Sequence, residues 1–303
     1  MADRLRLTIL GCGSSPGTPR VNGDWGRCDP SNPRNRRRRA AALVERISEK
    51  GGVTRVVIDT GPDFREQMLM AGVKHIDAVI YTHPHADHIH GIDDLRSYWL
   101  ERRKLIDIHA DAATLARLKE GFGYCFEKPA GSSYPPILRA HAIDHARPVV
   151  IEGEGGSLAF EPLPQIHGDI VSLGFRIGPI AYCPDVSDFP PETSARLDGL
   201  DCLVLDALQY KTHPSHLSLG QALAWIERLK PKRAILTHMH VPLDYETVMS
   251  ETPDHVEPGY DGLVIEGEVS EAVQESVFER RVSFNRDASG NRNARNRPDR
   301  CGR

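Results

Sequence analysis

Tyr81-Thr82-His83-Pro84-His85-Ala86-Asp87-His88-Ile89-His90-Gly91 decides how this chain is read. Five of these side chains are imidazoles or a carboxylate, and they follow at once on Asp77-Ala78-Val79-Ile80, which has the composition of a buried strand. Burying so many polar groups at a strand end is costly unless something satisfies them. A divalent metal does so, because neutral imidazole nitrogens and carboxylate oxygens are donors that zinc, manganese and iron accept. His83 and His85, two residues apart, point the same way if strand geometry continues and so reach one ion. Asp87 and His88, past the turn, face a second ion beside the first.

The chain that carries this stretch has 303 residues, 26 % of them charged, 40 % hydrophobic and 6 % aromatic, which excludes a fibre and a wholly disordered polymer. Its length allows a large core without disulfides. The six cysteines, Cys12, Cys28, Cys125, Cys183, Cys202 and Cys301, form no CxxC pair and read as reduced thiols of a cytoplasmic protein. No apolar run is long enough to span a membrane, and the first ten residues are too short and too charged for a signal peptide. Apolar patterning predicts strands over 5–10, 41–47, 53–59, 78–82, 106–109, 158–162, 172–177, 180–183, 202–206, 233–237 and 262–265. Helices are expected over 63–71, 92–100, 112–120 and 219–229, the last with Ser218 as N-cap and Leu219, Ala222, Leu223, Ile226 and Leu229 on one stripe. Many strands without a clean βαβ repeat imply packed sheets with helices outside, an α/β (α+β) layered fold. The segment 129–136 reads as an excursion or lid.

Charge is uneven. Residues 280–303 hold eight Arg and two Asp, a balance of +6 against a whole-chain −4, so residues 1–279 carry −10. From Asn285 onward there is no apolar periodicity, and a disordered basic tail is expected after one domain over 1–284. A second basic run, 34–39, reads either as a phosphate-facing loop or as an exposed approach to a strand.

Further ionisable groups stand just after apolar runs, where a sheet holds ligands on loops: Val57-Ile58-Asp59-Thr60-Gly61, Gln165-Ile166-His167-Gly168, Tyr182-Cys183-Pro184-Asp185-Val186 and Ile235-Leu236-Thr237-His238. Together with H-x-H-x-D-H, in this order, they resemble the metallo-β-lactamase superfamily over roughly residues 5–265. The resemblance implies a four-layer αββα sandwich with a dinuclear centre. It places His83, His85 and His167 on the first ion, Asp87, His88 and His238 on the second, and Asp185 on both, with Asp59 bracing the histidine turn. Which of His238 and His240 binds is open on spacing; His238 sits at the motif position and His240 is then a supporting neighbour. His75, His109, His141, His145, His213 and His255 match no motif and read mostly as surface groups.

Within the superfamily, Leu205-Asp206-Ala207 and Ser215-His216-Leu217-Ser218 resemble the phosphodiesterase branch, which includes tRNA 3′-processing endonucleases and phosphoribosyl 1,2-cyclic phosphate phosphodiesterases. There an acidic residue orients a histidine that protonates the departing alkoxide, a role implied for Asp206 and His216. An imidazolium beside a carboxylate suits this task because a phosphodiester expels a poor leaving group. Leu10-Gly11-Cys12-Gly13-Ser14-Ser15-Pro16-Gly17-Thr18-Pro19-Arg20 is similar to the start of the same proteins and offers Ser14, Ser15 and Arg20, with His216, to the substrate. The segments 24–30, 35–39 and 61–65 look most like the cyclic-phosphate hydrolases, although the cysteine cluster that binds an extra structural zinc in some of them is absent here.

The expectation is therefore a metal-dependent hydrolase of a small phosphodiester, cyclic, nucleotide-like or sugar-based. Two divalent ions (zinc or manganese, with iron a third choice) would activate water between them, Asp87 would take part through the second ion, and His216 would be the acid. Alternatives are an RNA 3′ endonuclease using the same centre, with nucleic acid a less favoured partner, and a non-catalytic nucleotide binder. No membrane partner is expected, and a homodimer fits the branch.

Overall fold

The computed structural model describes residues 3–268, so the expected basic tail and Cys301 lie outside the described residues. Strands β1 (Arg4–Gly11), β2 (Ala41–Ile47), β3 (Val53–Ile58), β4 (Ala78–Ile80), β5 (Ile106–Ala110) and β6 (Leu138–Ala142) form a first sheet. The chain then builds a second from β7 (Val149–Ile151), β8 (Leu158–His167), β9 (Ile170–Ile177), β10 (Ile180–Cys183), β11 (Cys202–Asp206), β12 (Arg233–Thr237) and β13 (Val256–Pro258). Strand β14 (Val264–Glu268) returns to pair with β1, so the first sheet runs β14-β1-β2-β3-β4-β5-β6 and the second β13-β12-β11-β10-β9-β8-β7. Each sheet is mixed: β3 to β6 are mutually parallel, as are β10 to β13, and the remaining pairs are antiparallel.

Helices α1 (Phe64–Ala71), α2 (Ala86–Ile89), α3 (Arg96–Arg102), α4 (Ala112–Phe126), α5 (Pro191–Ser194), α6 (Leu219–Leu229) and α7 (Tyr245–Glu251) complete the chain. One apolar cluster joins inward residues of the first sheet, such as Leu7, Val44, Val56 and Ile80, to Phe160, Phe175, Val204 and Leu236 of the second. Another packs Val57, Val79 and Ile108 against Phe64, Met68, Leu95 and Leu118 on the helical side. The layers are therefore helix, sheet, sheet, helix, as expected. Alternation produces this arrangement, since successive side chains of β1 to β5 serve opposite faces and both faces are covered. On the other side α6 buries Leu219, Ala222, Ile226 and Leu229, and Ser218 and Gln221 close a reciprocal capping box at its start.

Several expectations shift. β4 stops at Ile80, so the histidine stretch is a loop and a one-turn helix rather than a strand extension. The expected helix 92–100 is a 3₁₀ turn, Ile92–Leu95, followed by α3. The 129–136 excursion is not a lid: Ile137 accepts a hydrogen bond from Ile106 at the starting end of β5, whereas the histidines follow the finishing end of the parallel β4. The arginine run is largely tied into the fold, with Arg34 and Arg36 exposed. Arg34 stacks on Tyr245 and Tyr260, Arg38 pairs with Asp261 at 3.3 Å and Arg39 with Asp63 at 3.2 Å. Arg37 is only 2 % exposed and donates to the Asn35 side chain and the His240 carbonyl. The run thus ties the long β1–β2 loop to the C-terminal part of the sandwich.

The histidine turn is latched to the end of β3. Thr60 N–H donates to the His88 carbonyl and Gly91 N–H to the Thr60 carbonyl, both at 2.8 Å. Glycine is required at this approach, because a Cβ on Gly61 would lie 2.1 Å from the Asp87 carbonyl oxygen. Gly61→Ala should therefore lower stability by about 1–3 kcal/mol through overpacking, read from the urea midpoint. Gly220→Ala on α6, where a Cβ meets nothing within 4 Å, should not lower it.

Candidate metal centre

Six strand ends deliver the site. Asp59 follows β3, the histidine turn follows β4, His167 ends β8, Asp185 follows β10, Asp206 ends β11 and His238 follows β12. Ligands gather at strand ends because a sheet holds backbone rigidly there while the next residues turn freely. Two of these turns use left-handed backbone at non-glycine residues, Asp59 at φ 66° and His238 at φ 55°. Such conformations persist where the surroundings over-determine them.

Asp59 is fully buried and holds the floor. Its carboxylate accepts from Thr82 N–H at 2.9 Å, Thr82 Oγ1 at 2.8 Å and His88 Nδ1 at 2.7 Å. With its proton given to Asp59, Thr82 Oγ1 accepts from His83 Nδ1 at 2.9 Å. His167 Nδ1 donates to the Ser215 carbonyl at 2.6 Å. These bonds place a proton on Nδ1 of His83, His88 and His167 and turn each Nε2 inward, where in the neutral ring it is a bare lone pair.

Those lone pairs converge. His83 Nε2 and His167 Nε2 lie 3.0 and 3.2 Å from the same atom, His85 Nδ1. His88 Nε2 faces Asp185 Oδ2 at 3.3 Å and Asp87 Oδ2 at 3.4 Å, and His238 Nε2 lies 3.2 Å from Asp185 Oδ1 and 3.7 Å from Asp87 Oδ2. His88 Nε2, Asp185 Oδ2 and both His238 nitrogens are buried without a hydrogen-bond partner. Acceptors facing acceptors in a dry interior repel one another unless a cation sits among them, so the donor set fits divalent metal. Five compact groupings result among the described residues: His83 with His85 and His167, His83 with His88 and Asp185, Asp87 with His88 and His238, His167 with Asp185 and His216, and Asp206 with His216 and His238. Burial drives His83 well below the usual imidazole range and His167 down to about 4, so their neutral, ligating forms prevail. Against the cost of burial, the Asp185, Asp87 and Asp59 carboxylates raise the His88 imidazole well above its usual range, and His88 and His238 in turn hold Asp87 ionised, far below its own, so this half of the site is built around positive charge.

Beside this centre stands a second arrangement. His216 Nδ1 contacts Asp206 Oδ2 at 2.7 Å, and the same oxygen accepts from Val186 N–H at 3.0 Å. The His216 ring lies 4.6 Å from that of His238, nearly parallel, and 4.7 Å from that of His167. Burial raises the Asp206 carboxyl and lowers the His216 imidazole, which favours a pair without net charge. His213 is exposed, as read from sequence, yet it lies next to this corner: its ring is 5.3 Å from that of His216, and its Nδ1 accepts from Ser215 N–H at 3.3 Å. Its position three residues before His216 on one loop was the available signal.

The N-terminal glycine–serine loop meets the centre unevenly. Ser15 Oγ donates to Asp87 Oδ2 at 2.7 Å, whereas Ser14 and Arg20 meet His240 instead. Arg20 has only donors, so its 2.6 Å contact makes His240 Nε2 an acceptor, and His240 Nδ1 donates to Ser14 Oγ at 2.8 Å. Burial and the Arg20 charge bring His240 down to about 4. His238, not His240, therefore has its ring in the His/Asp groupings. His90 is exposed, its ring against Phe122. Cys12, Cys28, Cys125, Cys183 and Cys202 are all buried free thiols, and none joins these groupings.

A model of the beta-lactamase superfamily domain matches residues 54–239, which enclose every strand end named above. The chain belongs to the metallo-β-lactamase superfamily. A solved superfamily structure, described as a new diphosphatase from the PhnP family, is 38 % identical, covers 89 % of this chain and 99 % of its own, and superposes with a TM-score of 0.78. A Porphyromonas gingivalis protein named octanoyltransferase is 33 % identical over 264 residues, 86 % of this chain and 51 % of that protein. A ribonuclease Z from Bradyrhizobium diazoefficiens is 28 % identical over 152 residues, 48 % of this chain and 46 % of the enzyme. The chain thus spans about half the length of each curated relative. Among the described residues no helix is long and apolar enough to cross a membrane.

Because Asp59 sets the orientation and tautomer of His88, Asp59→Asn should lower metal affinity about 10–100-fold with the fold retained. Equilibrium dialysis against zinc, with circular dichroism of the same sample, checks this.

Proposed function

We propose that the chain is a metal-dependent hydrolase of small phosphodiesters. The observation that carries this reading is the Asp206–His216 pair, a carboxylate-oriented imidazole set beside two rings of the His/Asp groupings. Lactam and thioester cleavage have less need of such a proton donor, whereas an alkoxide leaving from phosphorus requires one. The 38 % identical diphosphatase supports chemistry at phosphorus, as does the ribonuclease Z relative.

His83, His85 and His167 would hold one divalent ion, Asp87, His88 and His238 a second, and Asp185 would reach both. Imidazole and carboxylate donors without thiolate suit zinc or manganese, with iron as a third choice. When bound, such ions lower the pKa of water and neutralise charge on phosphoryl oxygens. The chain's own groups do the rest. Asp59 keeps the inward lone pairs of His83 and His88 in register, the first through Thr82 and the second directly. Ser15 orients Asp87. Asp206 fixes His216 so that its Nε2 carries the proton offered to the departing oxygen. Ser14, Arg20 and His240 form a hydrogen-bonded flank in which Arg20, paired with Asp24 at 2.7 Å, would offer its remaining donors to an anionic substrate.

A second reading, RNA 3′-end cleavage, draws on the ribonuclease Z relative. The two separate by substrate: a small diester turned over faster than a 3′-extended tRNA at equal concentration supports the first. His216→Ala should keep its metal by elemental analysis yet lose about 10²–10⁴ in turnover of an alkyl diester. The loss should be smaller for bis-p-nitrophenyl phosphate, whose p-nitrophenolate departs without a proton. Equal losses on both esters, or none, would remove the assigned acid.

A further inference from the structure

We propose that Asp206 is a positioning residue for the metal centre as well as for the acid. Its Oδ1 takes the Nδ1 proton of His238 when His238 Nε2 holds an ion, so one carboxylate orients a metal donor with one oxygen and His216 with the other. The inference rests on the assignment of His238 to the second ion and on no particular substrate. His238 Nε2 faces Asp185 Oδ1 at 3.2 Å and Asp87 Oδ2 at 3.7 Å. A ring that gives this nitrogen to a cation carries its proton on Nδ1. That Nδ1 is buried without a hydrogen-bond partner, and Asp206 Oδ1, 4.0 Å away, is likewise buried without one. A donor and an acceptor buried unpaired cost free energy that a bond between them recovers.

The backbone puts the two groups side by side. Asp206 ends β11 in register with Thr237, the last residue of the parallel β12, and His238 comes next. Ala207 N–H donates to the Thr237 carbonyl at 2.9 Å, which ties the two turns together. Asp206 Oδ2 is already committed, accepting from Val186 N–H at 3.0 Å and meeting His216 Nδ1 at 2.7 Å, so Oδ1 is the free acceptor. For the same reason the grouping of Asp206, His216 and His238 reads as a hydrogen-bonded chain and not as a third metal site. The first sheet carries the same device. Asp59, buried after β3, meets Nδ1 of His88 at 2.7 Å. Each imidazole assigned to the second ion then has a buried carboxylate behind it, one from each sheet. Such carboxylate–histidine–metal chains fix the ring and raise the basicity of its ligating nitrogen. His83 and His167, assigned to the first ion, are backed instead by Thr82 Oγ1 and the Ser215 carbonyl. Asparagine at 206 separates the two roles. Its amide oxygen keeps the contacts of Oδ2, which sets its NH₂ against His238 Nδ1–H, donor against donor.

The test is a calorimetric titration of the full chain with zinc, followed by NMR of the zinc-saturated samples labelled with nitrogen-15 histidine. Asp206→Asn should weaken one of the two zinc ions about 10–100-fold and leave the other as in the native chain. His216→Ala, which removes the acid and keeps Oδ1 in place, should leave both affinities unchanged. In the zinc-saturated native chain the His238 Nδ1 proton should be shifted downfield and slow to exchange. In Asp206→Asn that signal should be lost, while the His88 Nδ1 proton held by Asp59 persists. Native zinc affinity in Asp206→Asn, an unchanged His238 signal in that variant, or an equal loss of zinc in His216→Ala would each overturn the proposal. Should Asp206→Asn fail to fold by circular dichroism, the native spectrum decides, and a freely exchanging His238 Nδ1 proton overturns the proposal. A native chain that binds fewer than two zinc ions would overturn the assignment of His238 and the inference with it. Neither measurement needs turnover, so failure to hydrolyse any diester would count against the phosphodiesterase reading alone.

Discussion

Electrostatic repulsion organises this molecule. The inward Nε2 atoms of the buried His83, His88 and His167 point at His85 Nδ1 and at the carboxylates of Asp87 and Asp185. Nothing in the hydrophobic core rewards such a juxtaposition, and folding must hold it against its own cost. The surrounding structure is built to do this. Asp59 is buried and strained so that one carboxylate can fix three polar groups, and Gly61 and Gly91 allow the backbone to close over the turn. A divalent cation turns the same repulsion into attraction, so that the cost of preorganisation becomes binding energy.

The second consequence is economy of scaffold. The loop bearing Ser215 and His216 serves two purposes, since the Ser215 carbonyl sets the tautomer of His167 while the next residue forms the pair with Asp206. The turn after β12 is similar: His238 enters the centre and His240 turns back to Ser14 and Arg20. The His/Asp groupings, the Asp206–His216 pair and the Ser14–Arg20 flank are therefore mechanically continuous. Arg37 shows how deep this goes, for its buried guanidinium holds the His240 carbonyl from behind.

Much of the centre was legible because its chemistry is local. Four imidazoles and a carboxylate within eight residues after an apolar run have little use in a protein interior except to hold a cation. The isolated Asp59, His167, Asp185 and His238 each follow an apolar stretch in the order the family resemblance requires. Other parts were not legible. His213 is exposed, as its sequence suggested, but its nearness to His216 is a distance, not a pattern. The arginine run looked like a phosphate loop or an open surface because charge is visible in sequence, whereas its partners Asp63, Tyr245, Tyr260 and Asp261 lie far away along the chain. The supposed lid failed for a similar reason: glycine and proline mark a loop but do not say at which end of a sheet it opens.

What the residues determined unaided was periodicity and donor chemistry: two-residue alternation for paired sheets, a capped amphipathic stripe for α6, and a ligand set too polar to be buried without a cation. What only the tertiary structure decided was convergence. Parallel strand order places the ends of β3, β4, β10, β11 and β12 at one rim, and that order depends on long-range pairing that no local pattern encodes. The tautomers of His88 and His167 and the stacking of His216 on His238 arise from this closure, because each is a relation between residues brought together from separate strand ends.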